Sequence, residues 1–103
     1  MNIIKKIVEM IDDELEGAEH YAKCAIKNKE AHPELAHTFR TISDAEMRHV
    51  NMLHEEVVKI IKEHRAEKGE PPAEMMAIWN YMHERHIEEA AEVKRYQEQY
   101  DRE

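Results

Sequence analysis

The chain has a single cysteine, Cys24, among its 103 residues. A lone thiol closes no internal disulfide and forms no Cys-x-x-Cys redox or zinc motif, so a reducing compartment is expected. Glycine and proline are also scarce, at two and three residues, which leaves few places to turn. Positive charge is in the minority, with 15 Lys and Arg against 23 Asp and Glu and a formal net charge of -8. A surface for nucleic-acid phosphates needs the opposite balance, so no nucleic-acid partner is expected. The acidic excess suits a soluble protein whose grooves attract cations. No apolar run is long enough to span a bilayer, and MNIIKKIVEM enters a helical pattern without the layout of a cleavable signal. The expected setting is the cytoplasm, with no membrane partner. There is no low-complexity tract and no tight internal repeat. The length suits one small domain, residues 1–103.

What is abundant points to helix. Charged residues make up 37% of the chain, and Ala, Glu, Lys, Met and Leu are common. Two punctuation marks divide it. In NKEAHPEL, Pro33 fits a first helical position and Glu34 the positive end of a helix dipole. In EKGEPPAE, Gly69 fits a C-terminal cap, and Pro71 and Pro72 end one helix and begin the next. The expectation is an all-α fold with helices at about 2–29, 33–66 and 72–101. The first two form an antiparallel hairpin and the third is a further long helix.

Each segment carries a stripe at helical spacing. The first reads Ile4, Ile7, Val8, Ile11, Leu15, Ala18, Ala22 and Ala25. The second reads Leu35, Phe39, Ile42, then Glu46 and His49, then Leu53, Val57 and Ile60. Met47, Val50, Val58 and Ile61 widen it enough to touch two neighbours. The third reads Met75, Trp79, Met82, then His86 and Glu89 beside Ala90, then Val93, Tyr96 and Tyr100. At 1.5 Å per residue these helices are on the order of 40–50 Å long. Three such helices leave little interior, so self-association is expected.

The polar interruptions carry the chemistry. Glu46 has Phe39, Ile42, Val50 and Leu53 at helical offsets, and His49 lies one turn on, on the same face. In the first helix Glu14 has Ile7, Ile11, Ala18 and Tyr21 at those offsets. A buried carboxylate without a counter-charge or metal costs several kcal/mol. About the break near residue 31, Glu14 lies as far before as Glu46 and His49 lie after, so they meet within roughly one turn. About the break near residue 70, Glu89 reaches the level of His49, with His86 about one turn away.

A Glu on one helix and Glu-x-x-His on its partner is half of a di-metal carboxylate set, whose other half comes from two further helices. Oxygen-rich ligation with one imidazole per metal suits iron or manganese better than zinc. A two-fold homodimer would supply the missing half, because each chain contributes the same patch. The site is therefore expected at or near a dimer interface.

ELEGAEHY, residues 14–21, followed by Ala25 and by DAEMRH, resembles the ferritin-like di-iron proteins. The Glu-x6-Tyr-x3-Ala and Glu-x-x-His patterns are similar to those of rubrerythrins. They are also similar to those of short ferritins carried inside encapsulin shells, which complete their iron site by dimerising. The resemblance covers roughly residues 7–60. It implies a ferritin-like four-helix bundle completed by dimerisation or higher homo-oligomerisation. It also implies Glu14, Glu46 and His49 as ligands, Tyr21 beside them, and oxidation of Fe(II) by dioxygen or peroxide. The chain lacks rubredoxin-type cysteines, and KRYQEQYDRE does not look like an encapsulin-targeting tail. Glu89 to Tyr96 repeats Glu-x6-Tyr in the third helix, while a fourth helix with a second Glu-x-x-His is missing. Either the third helix packs outside the site, or it supplies His86 or Glu89.

Plainer readings stand beside these. Glu46 and His49 would also serve as an ion pair that sets helix register in a metal-free assembly module. His86 and Glu89 would serve as a pair on a charged face. A peroxide-reducing di-iron protein would use the same ligands. Tyr21, Tyr96 and Trp79 suit packing with a polar handle, and the seven methionines suit gap-filling. His20 and His37 point to polar faces, His32 sits at the turn, His54 is expected to be semi-buried, and His64 suits a helix C-terminus. Cys24 reads as a semi-buried small residue.

Overall fold

Residues 4, 8, 11, 15, 18, 22 and 25 alternate steps of four and three. On a helix that spacing draws one narrow seam. The computed structural model describes residues 2–102, and the two ends of the expected domain, residues 1 and 103, lie outside the described residues. The first segment is helix α1, Asn2–Asn28. It buries every residue of the seam together with Ile7. Helix α2 is Pro33–Lys68 and helix α3 is Ala73–Arg102. Every helix end falls within two residues of its expected place, and no strand occurs among the described residues.

The breaks behave as their chemistry dictates. Pro33 stands in the first turn of α2 with Glu34, where a missing N–H costs nothing and a carboxylate meets the helix dipole. Gly69 closes α2 at φ 82, a left-handed backbone that a Cβ disfavours. His64 Nδ1 lies 2.9 Å from the Gly69 carbonyl, so its N–H donates there.

Pairs across the helices set their directions. Ser43 meets Ala18, Gln97 meets Ser43, and His86 meets Asp12. Thus α2 runs antiparallel to both α1 and α3, and α1 and α3 run parallel. The result is an elongated bundle of 56 × 18 × 18 Å.

The central helix differs from expectation. α2 was expected to touch two neighbours across a wide face, yet α1 packs along both others, while α2 and α3 approach one another much less closely. The buried line of α2 is narrow: Ala36, Ser43, Val50 and Val57, seven residues apart, with Ile61. Val57 of the expected stripe lies on it, as do Val50 and Ile61 from the positions that widen the stripe, while the other apolar members of the stripe lie to one side. Leu35 is 46% exposed, and Phe39, Ile42, Leu53 and Ile60 are half-buried. The reason is size. Ala18, Ala22 and Ala25 of α1 and Ala36 of α2 are all fully buried, and small side chains let helix backbones approach most closely. A pattern that weights large apolar residues misses Ala36 and Ser43 in that line. α3 buries Trp79, His86 and Val93 of its expected stripe together with Gln97, and leaves Met75, Met82, Tyr96 and Tyr100 half-buried.

One hydroxyl joins all three helices. Ser43 Oγ donates to the Ala18 carbonyl at 2.6 Å and accepts from Gln97 Nε2 at 3.0 Å. Ser43 is fully buried and Gln97 is 8% exposed. Truncation of Ser43 would strand the Gln97 amide, and a buried unsatisfied donor costs about 1–3 kcal/mol. Ser43→Ala is therefore expected to lower the free energy of unfolding by about 1–3 kcal/mol in urea titrations, with part of the loss recovered in Ser43→Ala/Gln97→Leu.

Candidate metal centre

Glu14 stands one residue before Leu15 of the α1 seam, and Glu46 and His49 stand beside the buried line of α2. The ligand atoms of these three residues all lie within 4.8 Å of one another. His49 Nδ1 is 3.3 Å from Glu14 Oε2 and 3.9 Å from Glu46 Oε1. The side chains of Glu14 and Glu46 are 28% and 23% exposed, and that of His49 is 50% exposed. The cluster therefore sits on the flank of the α1–α2 pair, open on one side. It does not occupy the middle of an apolar stripe, because the buried face of α2 is turned away from the expected one.

Two carboxylates in contact raise each other's proton affinity unless a cation neutralises them. Burial pushes the Glu46 carboxyl above its usual range. Its hydrogen bond to Glu14 and the negative charge there push the same way, while His49 pulls it down.

Glycine makes the room. A Cβ added at Gly17 would lie 2.5 Å from Glu46 Oε2. Gly17 lies inside α1, where glycine is about 1 kcal/mol less favourable than alanine. The Glu46 carboxylate fills the space that the missing Cβ leaves. Sequence reading passed over this residue, although a glycine inside a helical pattern is a recognised sign of close approach.

The other candidates lie elsewhere. Tyr21 is half-buried and packs against Phe39 at 5.9 Å and His20 at 5.6 Å between ring centroids. Glu89 pairs with Arg85 at 3.1 Å on α3. His86 is buried and meets Asp12 at 2.7 Å. Asp12 and Glu14, two residues apart, point about 200° apart around α1. Within one chain, α3 therefore faces the opposite side of α1 from the carboxylate pair.

The donor set is two carboxylates and an imidazole, mostly oxygen and half-exposed. It fits a hard or borderline divalent cation such as Fe(II) or Mn(II), and neutralisation by such a cation would relieve the Glu14–Glu46 repulsion. No family model matches the chain, and no curated protein or solved structure matches it.

Two predictions follow from this geometry. Gly17→Ala replaces a poor helix former, and Glu46 is flexible enough to swing away. The variant is expected to unfold no more easily than wild type, with a gain of up to about 1 kcal/mol, yet to bind metal at least about tenfold more weakly. Urea unfolding and metal titration check the two halves. The second concerns pH. A carboxyl whose proton affinity is raised by folding contributes stability below its unfolded pKa of 4.5, and loses it as pH rises through the folded value. Metal-free Glu46→Gln should therefore be more stable than wild type near neutral pH, and the gap should close as pH falls toward about 4.

Proposed function

We propose that this chain is a ferritin-like, iron-binding protein whose Glu14, Glu46 and His49 form half of a di-iron carboxylate site. A two-fold partner supplies the other half, and the assembly oxidises Fe(II) with dioxygen or peroxide. The observation that carries this reading is the convergence of those three ligands within 4.8 Å. In support, Gly17 admits the Glu46 carboxylate.

The surroundings of the cluster support a second copy. Ile3, Met10, Leu35 and Met52 are large apolar residues between 46% and 63% exposed. Met10 stands four residues before Glu14, and Ile3 seven before Met10. Met52 stands three after His49, and Leu35 eleven before Glu46. These are helical spacings, so the four share the ligands' flank. Met10 and Met52 lie about one turn from the ligands, Ile3 and Leu35 lie farther along the same flank, and exposed apolar residues beside a half-exposed polar patch suit an isologous contact.

The chain's own residues have defined tasks. Glu14 and Glu46 supply carboxylate oxygens, and His49 supplies an imidazole nitrogen. Burial and Glu14 raise the proton affinity of Glu46, so cations compete with protons there and cation binding weakens as pH falls. Bound iron would supply the one-electron chemistry, each Fe(II) giving an electron to the oxidant. A register-setting Glu–His pair explains the 3.3 Å contact of His49 with Glu14, but it does not call for a second carboxylate pressed against them.

Anaerobic Fe(II) addition followed by metal analysis tests the reading. The expected result is about one iron per chain, with dimers or larger assemblies in sedimentation. Glu46→Ala and His49→Ala should each lose the iron while remaining helical. Wild type that stays empty would defeat the metal reading and leave the metal-free assembly module. Single-turnover oxidation by dioxygen and by hydrogen peroxide then separates iron oxidation from peroxide reduction.

A further inference from the structure

A second group of metal-ligating side chains lies on the side of α1 that faces α3. His54 of α2 and His83 and His86 of α3 line a cavity of about 190 Å³. Ile11 and Val50 close it from α1 and α2. The His54 and His83 rings stack at 4.6 Å between centroids, and Trp79 lies 5.5 Å from His83.

The nitrogens of these rings are the informative part. His86 is 5% exposed, and its Nε2 is 2.7 Å from Asp12 Oδ1. A carboxylate there fixes the proton on Nε2 and leaves Nδ1 with a free lone pair. That Nδ1 is buried with no hydrogen-bond partner, and so is Nδ1 of His83. Packing against Trp79 accounts for the ring positions of His54 and His83. It does not account for two buried imidazole nitrogens left unpaired, an arrangement that folded proteins avoid.

We propose that His54, His83 and His86 bind a divalent metal ion of the imidazole-preferring class, for which Zn(II) is the probe, and that Asp12 orients His86 for it. The His-x-x-His spacing of His83 and His86 puts both rings on one face of α3, a turn apart. A carboxylate behind a ligating imidazole is the recurrent device that sets its tautomer and direction. Three nitrogen donors with a fourth position open suit zinc better than iron or manganese. The three rings are not as tightly gathered as Glu14, Glu46 and His49. Binding would therefore turn His54 and His83 inward toward the cavity that they line.

The test uses the Glu46→Gln/His49→Ala double variant, which removes the carboxylate site, and adds Zn(II) under equilibrium dialysis. The expected result is about one zinc per chain. Two-bond proton–nitrogen spectra should show the imidazoles of His54, His83 and His86 shifting while those of His20 and His37 stay fixed. His83→Ala and His86→Gln in that background should weaken zinc at least about tenfold, and Asp12→Asn by a smaller factor. Unchanged zinc affinity in His83→Ala and His86→Gln, both folded by circular dichroism, would overturn the proposal. So would zinc-induced shifts confined to the exposed imidazoles. Should either variant fail to fold, the imidazole spectra of the parent double variant decide the matter alone.

Discussion

Alanine sets how close α1 and α2 come, and the rest of the bundle depends on that approach. Ala18, Ala22, Ala25 and Ala36 are all fully buried, at the end of the hairpin nearest its turn. Helices in contact through such residues lie near the close limit of about 8 Å between axes. Only at close range can the Ser43 hydroxyl reach the Ala18 carbonyl across the interface at 2.6 Å. Next to Ala18, Gly17 leaves room beside the same interface, and the Glu46 carboxylate reaches over it. The larger seam residues, Leu15, Ile11, Val8 and Ile4, follow toward the far end of the bundle, where Val57, Ile61 and Trp79 complete the core.

That closeness also opposes stability in the metal-free chain. The same approach that pairs Ser43 with Ala18 presses Glu46 against Glu14, and burial adds to the difficulty of ionising it. A glycine in the middle of α1 adds its own cost of about 1 kcal/mol relative to alanine. Local preference and global fold agree along the apolar seam and disagree at these positions. Such disagreement is where functional sites tend to lie. The exposed side of His49 completes a cluster that is poorly matched to plain packing and well matched to a cation.

How much was legible in the sequence depends on what kind of residue carried each feature. The α1 seam was readable residue by residue, because large and small apolar side chains recur there at strict helical steps. The helix ends were readable from Pro33, Gly69, Pro71 and Pro72. The buried face of α2 was readable only at Val50, Val57 and Ile61. Its centre line runs through Ala36 and Ser43, which carry little hydrophobic weight, while Leu35 and Phe39 beside them carry much. The meeting of Glu14 with Glu46 and His49 followed from counting residues about the turn, a count that survives a rotated face because it concerns height. The Asp12–His86 contact was hidden. Nothing about an aspartate on a charged face tells which helix will lie against it.

The place of α3 bears on why that flank of the hairpin stays open. α3 runs parallel to α1 and takes the side marked by Asp12, with His86 and Val93 buried against it. Glu14 points about 200° away from Asp12 around the same helix. α3 is thus committed to one side of α1 and leaves the carboxylate cluster uncovered on the other. A fourth helix from the same chain would normally cover that side in a closed bundle. Here the uncovered flank holds Ile3, Met10, Leu35 and Met52 alongside the ligands, all large and all exposed. These residues are spread along the length of α1 and the facing part of α2, and water is a poor neighbour for apolar surface of that kind. Under the proposed reading one event resolves both deficits, because a second copy that covers these apolar residues also brings its own Glu14, Glu46 and His49 to the cluster. Were the cluster only a register-setting pair, the exposed apolar residues would still want covering, but the partner would have no need to match the cluster in chemistry. Under the proposed reading, exposed apolar residues and ligands on one flank tie assembly and metal binding together.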